Sequence, residues 1–284
     1  MTSADPGTRL RRAASSVLVY IVLIVGAIVT LGPFALSVWT ALKTPKQFAT
    51  QSALTLPAPP VLDNFADLFS SALIDFGRSV WVTILYVGVV LVGQLLFSIL
   101  AAYAFARLEF AGRDALFWVY IATLMVPPVV TVIPLYLMMA TFDLRNTFWA
   151  LVLPYVLGSP YAIFLLREYF RGIPQDIIDA ARIDGAGTWR VLTRIVVPLS
   201  RPIIATLTVI TVVTHWNNFL WPMIITSGGT WQVMTVATAS MQGQYNGNWT
   251  LVMAATTLSM LPLIAVFVIF NRKIVDSIAI TGFR

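Results

Sequence analysis

The side chains that could take part in chemistry are concentrated in one part of this chain, the charged segment at residues 167–201. Its centre reads IIDAARIDGAGTWRVLTRIVVPL, in which aspartates and arginines stand among small alanines and glycines. Carboxylates and guanidiniums are the groups that form strong hydrogen bonds and ion pairs with another protein surface. The segment therefore suits recognition of a partner.

Motifs of catalysis, nucleotide binding and metal binding are absent from the sequence. There is no GxxxxGK[ST] phosphate loop, no HExxH and no GxSxG. The chain has no cysteine, which excludes disulfides and thiol chemistry, and the single His215 cannot form a multi-histidine metal site. We predict no catalytic residue, no metal site and no cofactor held by this chain.

The composition is that of a membrane protein. Hydrophobic residues make up 58% of the chain and charged residues 11%, whereas soluble domains average about 25% charged residues. Uncharged runs of 30, 28, 28, 21 and 70 residues follow one another, and a helix needs roughly 20 residues to cross the hydrocarbon. Because lipid offers backbone groups no hydrogen-bond partner, these runs predict an all-α, polytopic membrane protein.

Six transmembrane helices are predicted, because the longest run divides at a polar stretch, residues 227–249. The third helix contains Pro127, Pro128 and Pro134, and we expect a kink there because proline removes a backbone donor. Pro222 is expected to break the fifth helix. The six spans are residues 14–42, 79–106, 116–140, 149–166, 202–226 and 250–271.

The distribution of lysine and arginine predicts the orientation. Six spans put both termini on one side, which carries 14 of these residues against 4 on the other. Both termini and the charged segment are therefore predicted to be cytoplasmic, with residues 43–78 and 227–249 as extracytoplasmic loops of a single transmembrane domain, residues 1–284. The net charge of +6 is explained by topology, so no nucleic-acid partner is predicted.

The charged segment is predicted to form two short helices. Asp176 and Asp179 lie near the start of the first, where the helix dipole favours negative charge, and Arg182 follows Asp179 on the same face. Gly185 permits a turn that a side chain would obstruct. The second helix, residues 188–197, is expected to end at the proline that follows.

Two roles for this segment remain open on physical grounds. Ala180 and Ala181 have small side chains, so the surface of another protein could approach this helix closely and seat it in a groove. An amphipathic loop that lies in the lipid headgroups would have the same pattern. The predicted spans carry no Asp, Glu, Lys or Arg, although proton-coupled carriers usually place ionisable groups there. If the protein moves a solute uphill, the energy is therefore expected to arrive from outside the bilayer, with the charged segment as the candidate receiver.

The stretch DAARIDGAGTWRVLTRIVVPL resembles the EAA signature of ABC importer permeases, which has glutamate where this chain has Asp179. HWNNFLWPM, DLRNTFWALVLPY, MVPPVVTVIPLY and the tail IAITGFR are similar to carbohydrate importers, the maltose-type permease of the second kind. The resemblance covers the chain from about residue 42 to its end. The residues that match the EAA signature are Ala180, Ala181, Gly185, Ile195 and Pro198.

The resemblance implies the type I ABC importer permease fold in a bacterial or archaeal plasma membrane. It implies a homologous second permease, two ATPase subunits that hold ATP and Mg, and an extracytoplasmic solute-binding protein. It also implies that the first helix of the charged segment seats in a cleft of an ATPase subunit. The residues implied in this coupling are Asp176, Asp179, Ala180, Ala181, Arg182, Asp184 and Gly185.

A sugar is recognised by hydrogen bonds to its hydroxyls and by stacking on aromatic faces, so polar and aromatic residues near mid-membrane are candidates for the substrate path. Asn217 and Asn218, beside Trp216 and Trp221, meet this description. The alternative is that the amides join helices, at about 0.6–2 kcal/mol for each hydrogen bond.

The extracytoplasmic stretch at residues 227–249 resembles a loop that reaches toward the binding protein. Its tryptophans and tyrosine are equally suited to anchoring at the membrane interface. The candidate contacts are Trp231, Gln242, Tyr245, Asn246 and Trp249.

The predicted function is that of the permease subunit of an ATP-driven importer for a sugar or sugar derivative. One alternative is an importer for another solute class, such as glycerophosphodiesters or amino acids. A second is a secondary carrier that uses His215 and needs no ATPase. A third is a structural membrane subunit without a transport path.

Overall fold

The computed structural model describes residues 6–70, 75–244 and 248–281, and within these ranges the chain is helical and has no strand. Four helical stretches are long and apolar enough to cross a membrane: Ser15–Ala41, Phe76–Arg107, Phe148–Arg171 and Trp249–Ile269. Two further stretches are long and apolar enough only when the two helices of a bent pair are taken together: Arg113–Met125 with Pro128–Thr141, and Thr188–Leu199 with Arg201–Trp216. With each bent pair counted as one span there are up to six, and the predicted all-α polytopic fold is confirmed. The second bent pair begins in the charged segment, before the predicted start of the fifth span at residue 202.

The helices of the described ranges are numbered in chain order. They are α1 (Pro6–Ala41), α2 (Pro45–Thr50), α3 (Asp63–Ser70), α4 (Phe76–Arg107), α5 (Arg113–Ala122), α6 (Pro128–Thr141), α7 (Phe148–Val156), α8 (Pro160–Arg171), α9 (Gln175–Ile183), α10 (Thr188–Val191), α11 (Val197–Leu199), α12 (Arg201–Trp216), α13 (Leu220–Ile225), α14 (Met234–Gln244) and α15 (Trp249–Thr281). A 3₁₀ turn, Thr123–Met125, extends α5, and a π-helix, Leu192–Val196, joins α10 to α11.

One compact unit comprises residues 1–71 and 241–258, and a buried asparagine links its parts. The Nδ2 atom of Asn64 donates to the backbone oxygens of Ala41 at 2.7 Å and Lys43 at 2.8 Å. Its Oδ1 accepts a hydrogen bond of 2.9 Å from the hydroxyl of Thr250. Asn64 thus joins the end of α1 to α3 and to the first turn of α15, and it satisfies carbonyls that a helix end leaves open.

The second unit comprises residues 72–240 and 259–284, and α4 is its central helix. It packs against α7, α8 and α12. Gly93 marks the closest approach, because a Cβ atom there would lie 2.3 Å from Cγ2 of Val156. A glycine is required at this crossing for space, as is common where membrane helices approach closely.

The kink predicted for the third span is present. The axes of Arg113–Met125 and Pro128–Thr141 differ by 102°. The chain turns at Val126 and Pro127, and Pro128 begins α6, where its missing N–H is not needed. Pro134 stays inside α6.

The fifth span is interrupted earlier than the sequence predicts. Its first helix, α12, ends at Trp216, residues 217–219 are non-helical, and α13 begins at Leu220. Pro222 was expected to break the helix, but it lies in the first turn of α13, where a helix tolerates proline.

The second helix of the charged segment also departs from its prediction. It does not end at Pro198 but continues to Leu199, after which the chain bends by 77° at Ser200 before α12 begins. In the π-helix, the amide of Val197 donates to the oxygen of Leu192, five residues earlier. Pro198 then lies in the first turn of α11, where it needs no amide donor.

Residues 227–249 were predicted to be a polar loop, but this stretch contains a helix, α14. Two of its hydroxyls are satisfied within the helix, since Thr238 and Ser240 each donate 2.9 Å hydrogen bonds to carbonyls four residues earlier, and that of Thr235 donates to the oxygen of Asn218. Val233, Met234 and Ala237 are buried. Polar residues therefore do not prevent helix formation here, because they bond back to the backbone.

Candidate functional site

The charged segment is fixed to the second unit by an apolar core. Ile178 of α9 is 1% exposed, and Val191, Leu192 and Val196 are also buried in the cluster. They pack with residues from α4, α5, α8 and α12, among them Phe105, Phe117, Leu166, Phe170 and Leu207. Full burial of one such aliphatic side chain contributes about 1.5–3 kcal/mol, so the segment is held firmly.

The opposite face of α9 is free. Of the predicted coupling residues, Ala181 is half-buried and the other six are exposed: Asp176, Asp179, Ala180, Arg182, Asp184 and Gly185. The helix therefore presents one continuous outer surface of small and charged side chains, while Ile178 holds its inner side.

A chain of hydrogen bonds connects α9 to the end of α4. Nη1 of Arg107 donates to Oε1 of Gln175 at 2.6 Å, and Nε2 of Gln175 donates to Oδ1 of Asp179 at 2.9 Å. Nη2 of Arg107 donates to the backbone oxygens of Phe170 and Ile173, which precede α9. One guanidinium thus fixes both the entry to α9 and its first turn.

Asp179 and Arg182, predicted on one helix face, form no ion pair within the described ranges, although both are exposed. The sequence did not predict the role of Gln175, whose side chain is the partner of Asp179 instead. No sequence pattern identifies it, because its link to Arg107 joins residues 68 positions apart.

The turn after α9 requires glycine for its backbone angle. Gly185 has φ +81°, and its amide donates to the oxygen of Arg182 at 3.0 Å. The amide of Ala186 donates to the oxygen of Ala181 at 2.9 Å. These bonds form a Schellman motif, which closes a helix with a left-handed residue. A Cβ on Gly185 would meet nothing within 4 Å, so the requirement is conformational and the surface around it is open.

Large apolar side chains stand exposed beside this turn. Ile183 is 87% exposed and Trp189 is 65% exposed, and Ile177 is exposed as well. Sequence reasoning did not select them, although Ile183 stands between two charged residues and off the face that Ile178 buries. Aromatic residues of this kind are enriched in protein interfaces.

The structure separates the four residues predicted for the substrate path. Asn217 is exposed in the gap between α12 and α13, with Nδ2 bonded to the oxygen of Val213 at 2.8 Å. Trp216 and Trp221 are buried, and their indole N–H groups donate to the oxygens of Ser259 and Ala150, respectively. The two indoles anchor the helices on either side of the gap.

Asn218 belongs to a buried polar cluster that the sequence did not predict. Its Nδ2 donates to the hydroxyl of Tyr86 at 3.1 Å, and that hydroxyl lies 3.0 Å from Nδ1 of His215. The ring of Tyr155 packs 4.9 Å from the imidazole. His215 and Tyr86 are buried, and their link joins α4 to α12 across 129 residues of sequence.

The predicted contacts with a binding protein fall in different parts of the chain. Trp231 belongs to the second unit, where its ring lies 5.5 Å from that of Phe148. Gln242 and Trp249 belong to the first unit and are exposed. Tyr245 and Asn246 lie outside the described residues.

No group of three or more His, Cys, Asp or Glu side chains in the described part of the chain is arranged to hold a metal ion.

Residues 94–279 match the family described as the binding-protein-dependent transport system inner membrane component. The chain is 32% identical over 231 residues to an arabinooligosaccharides transport system permease protein of Halalkalibacterium halodurans, covering 80% of this chain and 81% of the relative. It is 30% identical to the sn-glycerol-3-phosphate transport system permease protein of Yersinia enterocolitica, covering 94% and 98%. It is 28% identical to a diacetylchitobiose uptake system permease protein of Streptomyces coelicolor, covering 97% and 93%.

The fold is similar to that of a solved chain described as belonging to a bacterial ABC transporter involved in the import of the acidic polysaccharide alginate. The TM-score is 0.81 at 21% identity, covering 96% of this chain and 99% of the other. A second match is described as an alginate ABC transporter in complex with an alginate pentasaccharide-bound periplasmic protein, with a TM-score of 0.66 at 17% identity, covering 93% and 95%.

Proposed function

Because the chain belongs to the family of binding-protein-dependent transport system inner membrane components, we propose that it is the permease subunit of an ATP-driven importer for a sugar or sugar derivative. The relatives named for arabinooligosaccharides and diacetylchitobiose support a carbohydrate. The relative named for sn-glycerol-3-phosphate supports a second candidate, a phosphorylated polyol. The permease acts without catalysis of its own.

The observation that carries the coupling role is the two-sided geometry of α9. Its inner side is fixed by the buried Ile178 and by the Arg107–Gln175–Asp179 hydrogen bonds, and its outer side is free. In this proposal an ATPase subunit seats the outer face in a cleft, and Ile183 and Trp189 anchor the contact. The predicted coupling residues on that face are Asp176, Asp179, Ala180, Ala181, Arg182, Asp184 and Gly185.

Force from the ATPase would pass into the spans through the packed core. Val191, Leu192 and Val196 lie in the same cluster as residues of α4 and α8, and close-packed interiors transmit displacement rather than absorbing it. ATP and Mg belong to two ATPase subunits in this proposal, and a homologous second permease completes the path. This chain holds no cofactor.

For the substrate path we propose Asn217 as the side chain that contacts the sugar, since it is exposed at a helix interruption. Asn218, Trp216 and Trp221 shape the path by holding that interruption open through their own hydrogen bonds. Irregular backbone at membrane depth is tolerated where it lines a cavity.

The proposed orientation places both termini and the charged segment in the cytoplasm of a bacterial or archaeal cell, within one transmembrane domain. An extracytoplasmic binding protein delivers the substrate to the opposite side, where Trp231, Gln242 and Trp249, with Tyr245 and Asn246, are its contacts. The similar structure described with a bound periplasmic protein supports this partner.

Uptake by the reconstituted transporter tests the proposal. Proteoliposomes that contain the permease pair, the ATPase subunits and the binding protein are loaded with ATP or with a non-hydrolysable analogue, and a proton gradient is imposed separately. We expect labelled oligosaccharide to accumulate only with ATP. Accumulation driven by the proton gradient alone would favour the secondary carrier, and uptake of glycerol phosphate but no oligosaccharide would favour the phosphorylated polyol.

A further inference from the structure

A basic pocket of about 520 Å³ lies where α4, α5 and α9 meet in the second unit. Three guanidiniums line it, those of Arg107, Arg113 and Arg182, together with Gln175 and one carboxylate, Glu109. The three arginines come from three different elements, so the fold gathers charge that the sequence spreads over 76 positions. Because like charges repel each other, three guanidiniums held this close together would be stabilised by a bound anion.

The donors of two of these arginines are only partly used. Nε of Arg113 donates to Asp114 at 3.1 Å and Nη1 to the oxygen of Leu108 at 3.2 Å, which leaves both hydrogens of Nη2 and one of Nη1. Arg182 is exposed, and its guanidinium takes part in no hydrogen bond or ion pair within the part of the chain that the structure describes. Glu109 likewise forms no ion pair in those ranges.

Arg107 has a different role in the lining of the pocket. Three of its four Nη hydrogens are engaged by Gln175 and two carbonyls, so it orients the pocket and contributes charge, with one Nη1 hydrogen left. Its buried Nε has no hydrogen-bond partner among the described residues. The pocket therefore combines one fixed cation with two guanidiniums whose donors remain available.

Apolar side chains stand exposed on α5, the helix that begins at the pocket residue Arg113. Leu116, Trp118 and Val119, which lie three, five and six residues after Arg113, are 55%, 65% and 66% exposed. On the other side, α4 ends at Arg107 after 28 uncharged residues. The basic pocket thus lies at the boundary where apolar helix surface gives way to charge, which is the depth of phospholipid headgroups.

We propose that this pocket binds the phosphate of an anionic phospholipid headgroup, with the acyl chains lying along the exposed face of α5. Arg113 and Arg182 bind the phosphate oxygens, and paired N–H donors of a guanidinium match that geometry. An acidic side chain of a partner protein would pair with the arginines, but it would leave the apolar side chains of Leu116, Trp118 and Val119 uncovered.

Such a lipid would bridge α5 and α9, because Arg113 begins α5 and Arg182 lies on the coupling face. The bound headgroup would then tie α9 to the start of α5. Binding of the lipid is independent of the proposed function, whereas an effect on coupling rests on it.

Native mass spectrometry of the whole transporter tests the proposal. The complex is purified in a mild detergent and titrated with phosphatidylglycerol or with phosphatidylcholine of the same chain length. We expect a first phosphatidylglycerol to bind more tightly than phosphatidylcholine. Arg113→Gln and Arg182→Gln should each weaken that affinity about fivefold, which is the contribution of one basic residue near an anionic surface.

The matched control is Arg190→Gln combined with Arg194→Gln, which removes two exposed positive charges of the charged segment outside the pocket. This variant should retain the first phosphatidylglycerol, whereas the Arg113→Gln/Arg182→Gln pair should lose it. Equal retention by the two double variants would overturn the proposal, as would equal affinity for the two lipids.

Two further arms distinguish the source of the anion. If millimolar inorganic phosphate displaces bound phosphatidylglycerol as effectively as added phosphatidylglycerol does, the pocket binds free phosphate and the lipid proposal fails. If only the permease pair stripped of ATPase binds the lipid, an ATPase side chain fills the pocket, and the proposal fails again. Arg182→Lys, which keeps the charge and loses the paired donors, should bind with intermediate affinity.

Discussion

Nε2 of Gln175 donates a hydrogen bond of 2.9 Å to Oδ1 of Asp179 one turn later in α9. The other end of the same amide accepts from Nη1 of Arg107 at 2.6 Å. Glutamine can serve both neighbours because its amide has a donor and an acceptor. The aspartate, one methylene shorter than the usual glutamate of the EAA signature, is thereby tied to its own helix and to the end of α4.

Replacement of Gln175 by methionine keeps the side-chain length and removes both hydrogen bonds. We expect about 1–3 kcal/mol less stability in the first turn of α9 and a several-fold fall in the ATPase activity that the binding protein stimulates. Thr193→Val is the control, because that hydroxyl bonds only to the oxygen of Trp189 in its own helix. Unchanged coupled ATPase activity in Gln175→Met would show that the link to Arg107 is dispensable.

Substitutions at Gly185 should rank by their tolerance of a positive φ. Gly185→Asn should keep most uptake, Gly185→Ala less and Gly185→Val least, because a left-handed backbone costs an L-residue about 1–2 kcal/mol and asparagine accepts it more readily. Gly185→Asp tolerates a positive φ nearly as well as asparagine but adds a negative charge to the docking face, so it should abolish uptake while membrane insertion persists. Initial uptake rates, normalised to the amount of permease in the membrane, give the ranking.

Gly187→Ala is the matched control for that series, since Gly187 has φ −69° and open space around it. It should transport at the level of the unchanged protein. A Gly185→Val variant with full uptake would contradict the conformational requirement and the docking that depends on it.

Trp189 and Ile183 should behave as anchors of the ATPase contact. Trp189→Ala is expected to weaken association with the ATPase by about thirtyfold or more, the scale of an interface hot spot of 2 kcal/mol. Co-purification and the affinity of detergent-solubilised permease for the ATPase measure this. Trp118→Ala removes a tryptophan of equal exposure, 65%, from α5 and should leave the affinity unchanged. Equal affinity in both variants would remove Trp189 from the interface.

Substitutions at Asn217 and Trp221 should distinguish a residue that contacts the substrate from one that stabilises the fold. Asn217→Ala is expected to raise the substrate concentration for half-maximal uptake while the melting temperature stays constant, because its amide is exposed. Trp221→Phe should lower the melting temperature, since it leaves the oxygen of Ala150 without its donor. An Asn217→Ala variant with unaltered uptake kinetics would make that residue a bystander.

The Tyr86–His215 contact should be structural. Tyr86→Phe leaves the amide of Asn218 and the imidazole without their shared hydroxyl and should cost about 1–3 kcal/mol. A double-mutant cycle with His215→Phe should show strong non-additivity in melting temperature. If His215→Phe instead preserves stability and makes uptake indifferent to an imposed proton gradient, a relay through the histidine is favoured.

Local patterns predicted the spans well. The uncharged runs mark α4 and the other long helices because backbone in lipid must satisfy itself, and Pro127 and Pro128 identify the bend because proline lacks a donor. Gly185 was predicted as a turn position because glycine adopts backbone angles that a side chain disfavours. In each case the determining interaction lies within a few residues of the position concerned.

Interactions between distant residues were not predictable in this way. Neither the bond of Tyr86 with His215 nor that of Arg107 with Gln175 has a signature in sequence spacing, since each joins separate helices. Pro198 was misjudged because the preceding π-helix changes the hydrogen-bond register around it. The gap at residues 217–219 was misplaced because the anchoring carbonyls of Ser259 and Ala150 lie elsewhere in the chain.

The π-helix at Leu192–Val196 has a further consequence for changes in chain length. Each residue of an α-helix advances its azimuth by about 100°, so a deletion within α12 would swing Asn217 to another side of the bundle. A π turn already accommodates one residue in excess. Loss of a single residue there should restore ordinary winding and leave the azimuth of Asn217 as it was.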